Sequence, residues 1–530
     1  MKKQLIIKIL LGAILVLALA LRVYKLDSVP PSISWDEAAV GYNAWTIANY
    51  GRDEYGKFLP AYFHSFGEDK NPVDIYLTAL FVRFMDLNEL STRLPVALFG
   101  VLNVLTIYIL AKLLFEKEFI GLISAFFLAI SPFNLHFSHF NHEANFALFF
   151  LMWGIILFLL SIKKDKDFLP LSIVSFVLSF ISYNPPKIIV PAVLILLSVL
   201  YAKKLFKKPR EIIFSLSLLG LFLIVIFFQP QLLGGVRISQ TIQGTSDIEK
   251  TQLFKLTHSE LLGRINLILV QYAWHFSPQF LFISGDKNTH LSSQSEGEFY
   301  KLDALFLVLG LLFFLARRQR ESFLLLGLAL IAPLPSSMTA DAPHAGRAMF
   351  MMGSWDIIAA TGFYTLVSIF KKPLLRWGII ILCLGILTLS LKNYLVYYYG
   401  EYTKRYAIEW QYGMKQVVEF VRNNEGYNQI YMTNVRSQPY IFFLYYLKTP
   451  LPEYLNSVIY NNSESKSYNL ISSFDKFSFG GSDTVENKPG QGVLYILTPS
   501  EYDGLRYKSS FGVKKIIYYP NGTVAFYIIS

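Results

Sequence analysis

Apolar runs long enough to cross a membrane recur along this chain from Leu5 to Tyr399. A membrane-spanning helix needs about 20 mainly apolar residues. A chain with 53% hydrophobic and 16% charged residues is not a soluble globular protein, in which about 25% of residues are charged. Hydropathy read together with charge predicts eleven spans, at approximately 5–22, 94–111, 119–135, 144–161, 168–183, 188–202, 211–228, 302–316, 322–336, 348–370 and 377–396.

The distribution of lysine and arginine predicts the orientation of these spans. Short cytoplasmic loops of membrane proteins are enriched in both residues, and the short loops around 136–143, 184–187 and 337–347 hold only Lys187 and Arg347. We therefore expect a multi-pass protein of the plasma (inner) membrane with a cytoplasmic N-terminus. The opposite loops hold Lys2, Lys3, Lys8, Lys112, Lys117, Lys163, Lys164, Lys166, Lys203, Lys204, Lys207, Lys208, Arg210, Arg317, Arg318, Arg320, Lys371, Lys372 and Arg376.

Two large external loops and a polar tail complete the predicted organisation. The loops cover 23–93 and 229–301, within a transmembrane domain over residues 1–400. The segment Ile75–Leu87 is apolar but too short to cross a bilayer, so we expect a helix lying at the outer interface. Short β-rich runs after Tyr399, with a hairpin signal at Asn521-Gly522, predict an extracytoplasmic α/β domain over 401–530. Cys383 is the only cysteine, which excludes a disulfide and a thiolate metal site.

The acid pair Asp36-Glu37 directly follows Trp35 and the first span. Two adjacent carboxylates near an apolar interface are costly unless they are paired, hydrated or metal-bound, so they are functional candidates. Burial would raise the pKa of such an acid towards that of a useful general base. A solvated acid pair, or an acid pair at the start of a helix, is the alternative.

Other polar side chains are predicted on the same outer side of the membrane. The first loop supplies Asp69 and Lys70, and the short loop after the third span supplies His136, His139, His142 and Glu143. Histidines at i, i+3 and i+6 would line one side of a helix, and two of them could share a metal ion with a carboxylate. Hydrogen-bonded interfacial histidines are the alternative.

The two basic residues of the short external loops are candidate phosphate ligands. Arginine binds phosphate through two parallel hydrogen bonds and lysine binds it as a point charge. Lys187 and Arg347 could therefore hold an anionic substrate group. The alternative for an arginine at the start of a span is that it extends to the lipid headgroups.

The ordered set of polar segments resembles a known family. After the first span come WDEAAVGYNAW and GRDEYGKFLPAYFHSFGEDKNPVDIYLT, then STRLPVALFGVL, SPFNLHFSHFNHEANFALFF and HAGRAMF, and finally the external tail. This order resembles the membrane-embedded C-type (GT-C) glycosyltransferases, in particular the bacterial relatives of the protein O-mannosyltransferases and of the lipid A aminoarabinose transferase. The resemblance covers roughly residues 1–400 and implies a polytopic α-helical GT-C-like fold of about 11 transmembrane helices.

The resemblance implies catalytic roles for three acids. Asp36 matches the catalytic acid of the family's first external loop, the base that deprotonates the acceptor, and Glu37 supports it. Glu143 stands where relatives carry an acid after the third span. His139 stands four residues earlier, where relatives often carry arginine, and His142 and Asp69 are further supporting candidates.

The resemblance also implies donor-binding residues. The segment Asp69-Lys70-Asn71-Pro72 resembles an acidic-Lys-Pro-Pro segment in which the lysine lies near the donor phosphate, although Asn71 replaces the first proline. Arg347 matches a basic position before a late span and is the best further phosphate ligand. Lys187 is a second candidate.

The resulting expectation is a glycosyltransferase of the cell envelope. It would move a monosaccharide from a polyprenyl-phosphate donor to a protein, lipid or glycan acceptor on the outer face, by a single inverting displacement. A divalent metal is left open, with Asp36, Asp69, His139 and His142 as candidate ligands, and no nucleic acid partner is expected. A transporter or lipid-linked-sugar flippase is the alternative and would predict repeated halves; a non-catalytic scaffold is a third.

Overall fold

The computed structural model describes residues 2–234, 241–461, 471–482, 485 and 490–530. Its helices of nine or more residues are α1 (Lys2–Val23), α2 (Trp35–Tyr50), α3 (Pro72–Met85), α4 (Glu89–Phe115), α5 (Glu118–Ile130), α6 (Ala144–Lys164), α7 (Leu169–Phe180), α8 (Pro186–Leu205), α9 (Pro209–Phe228), α10 (Glu260–Trp274), α11 (Asp303–Arg317), α12 (Arg320–Ile331), α13 (Ser354–Ile369), α14 (Pro373–Tyr397), α15 (Met414–Arg422) and α16 (Pro439–Leu447).

Shorter helical segments lie between them. They are the α-helical segments Pro132–Phe137, Thr245–Glu249, Gln252–Thr257, Leu334–Ser337, Ala345–Ala348, Thr403–Arg405, Leu451–Ser457 and Pro499–Asp503, the 3₁₀ segments Pro230–Leu233, Met349–Met351 and Lys508–Ser510, and the π-helical segments Gln279–Ile283 and Tyr398–Tyr402.

The nine strands among the described residues are short. They are β1 (Phe63–Ser65), β2 (Glu68–Lys70), β3 (Gln429–Thr433), β4 (Ile459–Tyr460), β5 (Ile471–Phe474), β6 (Phe477–Gly480), β7 (Val493–Leu497), β8 (Val513–Tyr518) and β9 (Val524–Ile529).

The chain divides into two compact units. The helical unit comprises residues 1–24 and 96–397, and the mixed unit comprises residues 25–95 and 398–530. The first predicted external loop therefore groups with the C-terminal tail. The predicted domain boundary at residue 400 stays a prediction.

Helices of the helical unit lie at all of the predicted spans. Six helices of the described residues are long and apolar enough to cross a membrane, namely Lys2–Val23, Glu89–Phe115, Ala144–Lys164, Pro186–Leu205, Pro209–Phe228 and Pro373–Arg405. The chain is thus a helical membrane protein, and the number of eleven spans stays a prediction. The predicted span 119–135 breaks after Ile130 because Pro132 disfavours helical geometry at the residue before it.

Small residues allow two helices of this unit to approach closely. A Cβ atom at Gly362 would lie 1.7 Å from the carbonyl oxygen of Phe306, and one at Gly310 would lie 2.1 Å from that of Ile358. Both contacts join α11 to α13. Close packing through glycine is typical of helices within membranes.

The mixed unit contains a seven-stranded sheet in the order β4-β5-β6-β3-β7-β9-β8. The central strand β3 is parallel to β6 and β7, and the other pairs are antiparallel. The β-rich runs of the sequence form β3, β7, β8 and β9, and the hairpin signal lies between β8 and β9, where Gly522 has a φ of 86°. The predicted C-terminal α/β fold is confirmed.

Candidate active site

The side chains of Asp36 and Lys70 form an ion pair in the mixed unit. Lys70 Nζ donates to Asp36 Oδ1 at 2.5 Å, and Trp35 Nε1 donates to Asp36 Oδ2 at 3.1 Å. The lysine side chain is 7% exposed, whereas that of Asp36 is 49% exposed. Asp36 is thus held at both oxygens and still open to a substrate.

A tight hairpin places Lys70. Strands β1 and β2 are joined by Phe66 and Gly67, both with positive φ (54° and 77°), the geometry of a two-residue type I′ turn. Lys70 ends β2, and Asn71 and Pro72 start α3 directly after it. The position of Lys70 is therefore set by a strand on one side and a helix on the other.

Glu37 lies behind Asp36 in a fully buried network. Its carboxylate accepts from Arg93 Nε at 2.8 Å and Arg93 Nη2 at 3.0 Å, and neither side chain has exposed surface. With Ser34 it also forms a capping box at the start of α2, because each residue's side chain accepts a hydrogen bond from the backbone N–H of the other. Glu37 therefore fixes the first turn of α2, the turn that carries Asp36.

The guanidinium of Arg93 also fixes the chain segment before α2. It donates to the carbonyl oxygens of Leu26 at 3.2 Å, Pro30 at 3.0 Å and Ser32 at 2.5 Å. Backbone carbonyls in a buried loop need donors, and one arginine satisfies three of them. Arg93 thus joins α4, the 25–34 loop and α2.

Two further acids of the first loop, Asp69 and Glu54, do not contact Lys70 or Arg93 in the way that Asp36 and Glu37 do. Asp69 Oδ1 lies 3.2 Å from His64 Nδ1 across the β1–β2 hairpin. Glu54 is buried, with about 1% of its surface exposed. Burial, together with the charge of Asp53, raises the pKa of Glu54 to about 8, although Lys70 and Asn43 oppose the shift.

In the helical unit, the three histidines do not line one helix face, so that prediction is wrong. The helix starting at Pro132 ends at Phe137, because Asn145 Nδ2 donates to the carbonyl of Phe137 at 2.7 Å and Ser138 Oγ donates to that of Asn134 at 2.6 Å. Side chains thereby satisfy carbonyls that a continuing helix would have used.

Each histidine of this loop has its own contacts. His136 Nε2 donates to the carbonyl of His290 at 2.9 Å, and burial lowers the pKa of His136 to about 4. His139 Nδ1 donates to the carbonyl of Leu135 at 2.7 Å. His142 Nδ1 accepts from the backbone N–H of Ala144 at 3.2 Å and lies 4.0 Å from Glu143 Oε2. Glu143 itself stands at the N-terminus of α6.

Arg347 belongs to a second charged group in the helical unit. Its guanidinium is mostly buried, forms an ion pair with Asp341 and donates to Thr339 Oγ1 at 2.8 Å. Burial raises the pKa of Asp341, but the charges of His344 and Arg347 outweigh it and leave that pKa lowered. For Asp286, burial dominates and raises the pKa to about 6. Arg347 is thus a cation held beside acids of the 286–347 region.

Lys187 lies at the start of α8. Its Nζ donates to Asn184 Oδ1 at 2.5 Å. A Cβ atom at Gly234, which has a φ of 67°, would lie 2.9 Å from the same Nζ and 2.6 Å from Asn184 Oδ1. The lysine therefore packs against the turn that follows α9.

Comparisons with known proteins support the expected resemblance. Residues 69–233 match the family model described as dolichyl-phosphate-mannose-protein mannosyltransferase. The structure of ArnT from Cupriavidus metallidurans bound to undecaprenyl phosphate superposes with a TM-score of 0.59 at 13% identity, over 98% of this chain and 97% of that one. No curated protein matches the sequence significantly.

A second enzyme has the same architecture. The oligosaccharyltransferase of Archaeoglobus fulgidus superposes in its complex with Zn and sulfate (TM-score 0.53, 14% identity, 98% of this chain, 72% of that one). It also superposes when tethered to an acceptor peptide containing the NVT sequon (TM-score 0.51, 14% identity, 97% and 74%). Both enzymes are GT-C proteins. The chain has the GT-C glycosyltransferase fold.

The metal site considered from the sequence stays a prediction. Among the residues described, no group of three His, Cys, Asp or Glu side chains could hold a metal ion. The candidate ligand Asp69 contacts His64, and His139 contacts the carbonyl of Leu135.

Several contacts of this GT-C fold were missed from the sequence. Arg93 stands within the segment STRLP that carried the resemblance, directly before the predicted span 94–111. The positions of Asp341 and Asp286 near Arg347 could not be predicted, because the loops that contain these acids have no hydrophobic periodicity.

Proposed function

We propose that this protein is a polyprenyl-phosphate-sugar-dependent glycosyltransferase. It transfers a hexose or pentose to an acceptor at the outer face of the plasma membrane, by a single inverting displacement. The observation that carries the proposal is the contact between Asp36 and Lys70, which holds a half-exposed carboxylate 2.5 Å from a buried ammonium. The complex of ArnT with undecaprenyl phosphate supports the choice of a lipid-linked donor.

Asp36 acts on the acceptor hydroxyl, and Lys70 acts on the leaving phosphate. The acceptor hydroxyl loses its proton to Asp36 and its oxygen bonds to the anomeric carbon, while the bond from that carbon to the phosphate oxygen breaks. The electron pair of the broken bond leaves with the polyprenyl phosphate, whose added negative charge Lys70 stabilises. No covalent enzyme intermediate forms, so the anomeric configuration inverts.

The remaining candidates have supporting roles in this proposal. Glu37 positions Asp36 through the capping box and Arg93, and Glu143 is the second acid at the acceptor. Arg347 is the second phosphate ligand, with Lys187 as a further one. Asp69, His139 and His142 are further supporting candidates.

The test uses the purified full chain with a panel of undecaprenyl-phosphate hexoses and pentoses, and measures release of undecaprenyl phosphate. Asp36→Asn is compared with Asp503→Asn, which changes an exposed acid in the tail. We expect Asp36→Asn to lower transfer by at least about 10²-fold, the low end of the range for a lost proton-transfer group, and Asp503→Asn to have no effect.

Retained transfer in Asp36→Asn would remove this residue from the mechanism. Movement of the donor across proteoliposome membranes without sugar transfer would favour the flippase alternative and overturn the proposal.

A further inference from the structure

A groove lies between α7 and α9 of the helical unit. Its volume is about 970 Å³, within the range of about 300–1,000 Å³ typical of ligand sites. The lining includes charged residues of the segments 165–167 and 207–211, and apolar residues of both helices. The groove is therefore amphipathic.

The charged end of the groove carries two cations available to a ligand. Lys208 is neutralised within the fold, since its Nζ lies 2.9 Å from Asp165 Oδ1 and 2.6 Å from Glu211 Oε1. The side chains of Lys207 and Arg210 are exposed, and no hydrogen bond or ion pair joins them to another described residue. The segments 163–167 and 203–211 together hold eight basic and three acidic residues, so this end attracts anions.

Exposed apolar side chains of α7 and α9 line the groove next to its charged end. Leu171 and Val174 of α7 are 51% and 39% exposed, and Phe214 of α9 is 58% exposed. Phe214 and Leu218 follow Arg210 by one and two helical turns, so their Cα atoms lie roughly 6 Å and 12 Å further along the axis. Basic residues and apolar side chains thus succeed one another over the length of a lipid headgroup and its first acyl carbons.

A lipid is the occupant that this arrangement requires. α9 is one of the helices long and apolar enough to span a membrane, and its exposed side chains continue with Ile213, Leu216 and Leu221. A concave apolar surface within the hydrocarbon layer loses dispersion contacts when it stays empty, and water there would lack hydrogen-bond partners. Acyl chains can fill this surface, because they restore the dispersion contacts and form no hydrogen bonds.

We propose that this groove binds an anionic phospholipid. The phosphate lies between Lys207 and Arg210, and the acyl chains run along Leu171, Val174, Phe214 and Leu218. Basic pockets between membrane helices are typical sites for anionic headgroups. The site is separate from the donor chemistry, so it does not depend on the proposed transferase activity.

The test measures lipid retention by native mass spectrometry on the detergent-purified full chain. The probes are phosphatidylglycerol and phosphatidylcholine with identical acyl chains. The variant Lys207→Gln with Arg210→Gln is compared with Lys371→Gln with Lys372→Gln, which removes two exposed charges from another loop. We expect the first pair to weaken phosphatidylglycerol binding by about 30-fold, corresponding to ~2 kcal/mol for two basic residues, and the second pair to leave it unchanged.

Other outcomes overturn the proposal. Equal retention of the two lipids by the wild type, or equal losses in both variants, would mean that the groove does not select an anionic headgroup. Displacement of phosphatidylglycerol by an equal concentration of undecaprenyl phosphate would make the polyprenyl lipid the occupant. If the first variant misfolds, Lys207→Arg with Arg210→Lys serves instead, since it keeps both charges and must retain binding.

Discussion

Glu37 and Arg93 form a salt bridge that has no exposed surface. Arg93 Nε and Nη2 donate to the two carboxylate oxygens at 2.8 Å and 3.0 Å. The same guanidinium donates to three backbone carbonyls of the segment before α2. The pair therefore holds the turn that carries Asp36.

Arg93→Met should strongly destabilise the protein. The substitution leaves Glu37 buried without its cation and three carbonyls without their donor, and breaking a buried pair costs about 3–5 kcal/mol. Thermal unfolding in detergent measures the loss. Lys415→Met is the matched control, because its partner Glu89 forms a partly exposed pair at 2.8 Å and such pairs contribute about 0–1 kcal/mol. Equal effects of the two substitutions would contradict the prediction.

Lys70→Met should leave the fold intact and impair transfer. The methionine keeps most of the buried volume of the side chain but removes the charge that we propose to stabilise the leaving phosphate. Removing one electrostatic stabiliser typically lowers kcat by about 10²–10³-fold. The assay is release of undecaprenyl phosphate, with Lys57→Met as control, since Lys57 lies over the Tyr62 ring in the same loop. Turnover in Lys70→Met equal to that of the wild type would exclude the assigned role.

The helices were predictable because long apolar runs leave few alternatives within a membrane. The strands of the tail were predictable for a similar reason, since their alternation and the Asn521-Gly522 turn are local signals. The end of the helix at Phe137 was not predictable from the sequence. Side chains of Asn145 and Ser138 end that helix before His139 and His142. Local spacing carries no information about such tertiary caps.

The candidate site was predictable only in part. The contact of Asp36 with Lys70 joins residues 34 positions apart, and the family resemblance rather than their spacing indicated it. Burial was also not visible in the sequence, so the contact of Glu37 with Arg93 could not be predicted. The pairing of Arg347 with Asp341 depends on loop conformation, which has no sequence period.

Single-cysteine labelling tests the predicted orientation. Cys383 is the only cysteine and is buried, so Cys383→Ala gives a suitable background. A membrane-impermeant maleimide should label Asp503→Cys in intact spheroplasts, because the tail is predicted outside. Lys371→Cys, in a predicted cytoplasmic loop, should react only after permeabilisation. The reverse pattern would overturn the predicted topology and the outer-face reaction with it.

Glu54 should make the stability of the protein depend on pH. Its folded pKa of about 8 lies above the usual value of 4.5, because burial disfavours the charged form. The folded state then binds the proton more tightly than the unfolded state, so the stability contributed by the protonated acid is complete below about pH 4.5 and is lost as the pH rises through about 8. Glu54→Gln removes this contribution to the pH dependence.

The measurement is the thermal unfolding midpoint of wild type and Glu54→Gln between pH 5 and 9. Because other buried acids also titrate in this range, the informative quantity is the difference between the two curves. We expect the two proteins to be similar at pH 5 and the variant to be the more stable at pH 9. Glu453→Gln, an exposed acid of the same unit, should follow the wild type throughout. Parallel curves for wild type and Glu54→Gln would show that this carboxyl stays charged in the fold or is reached by water.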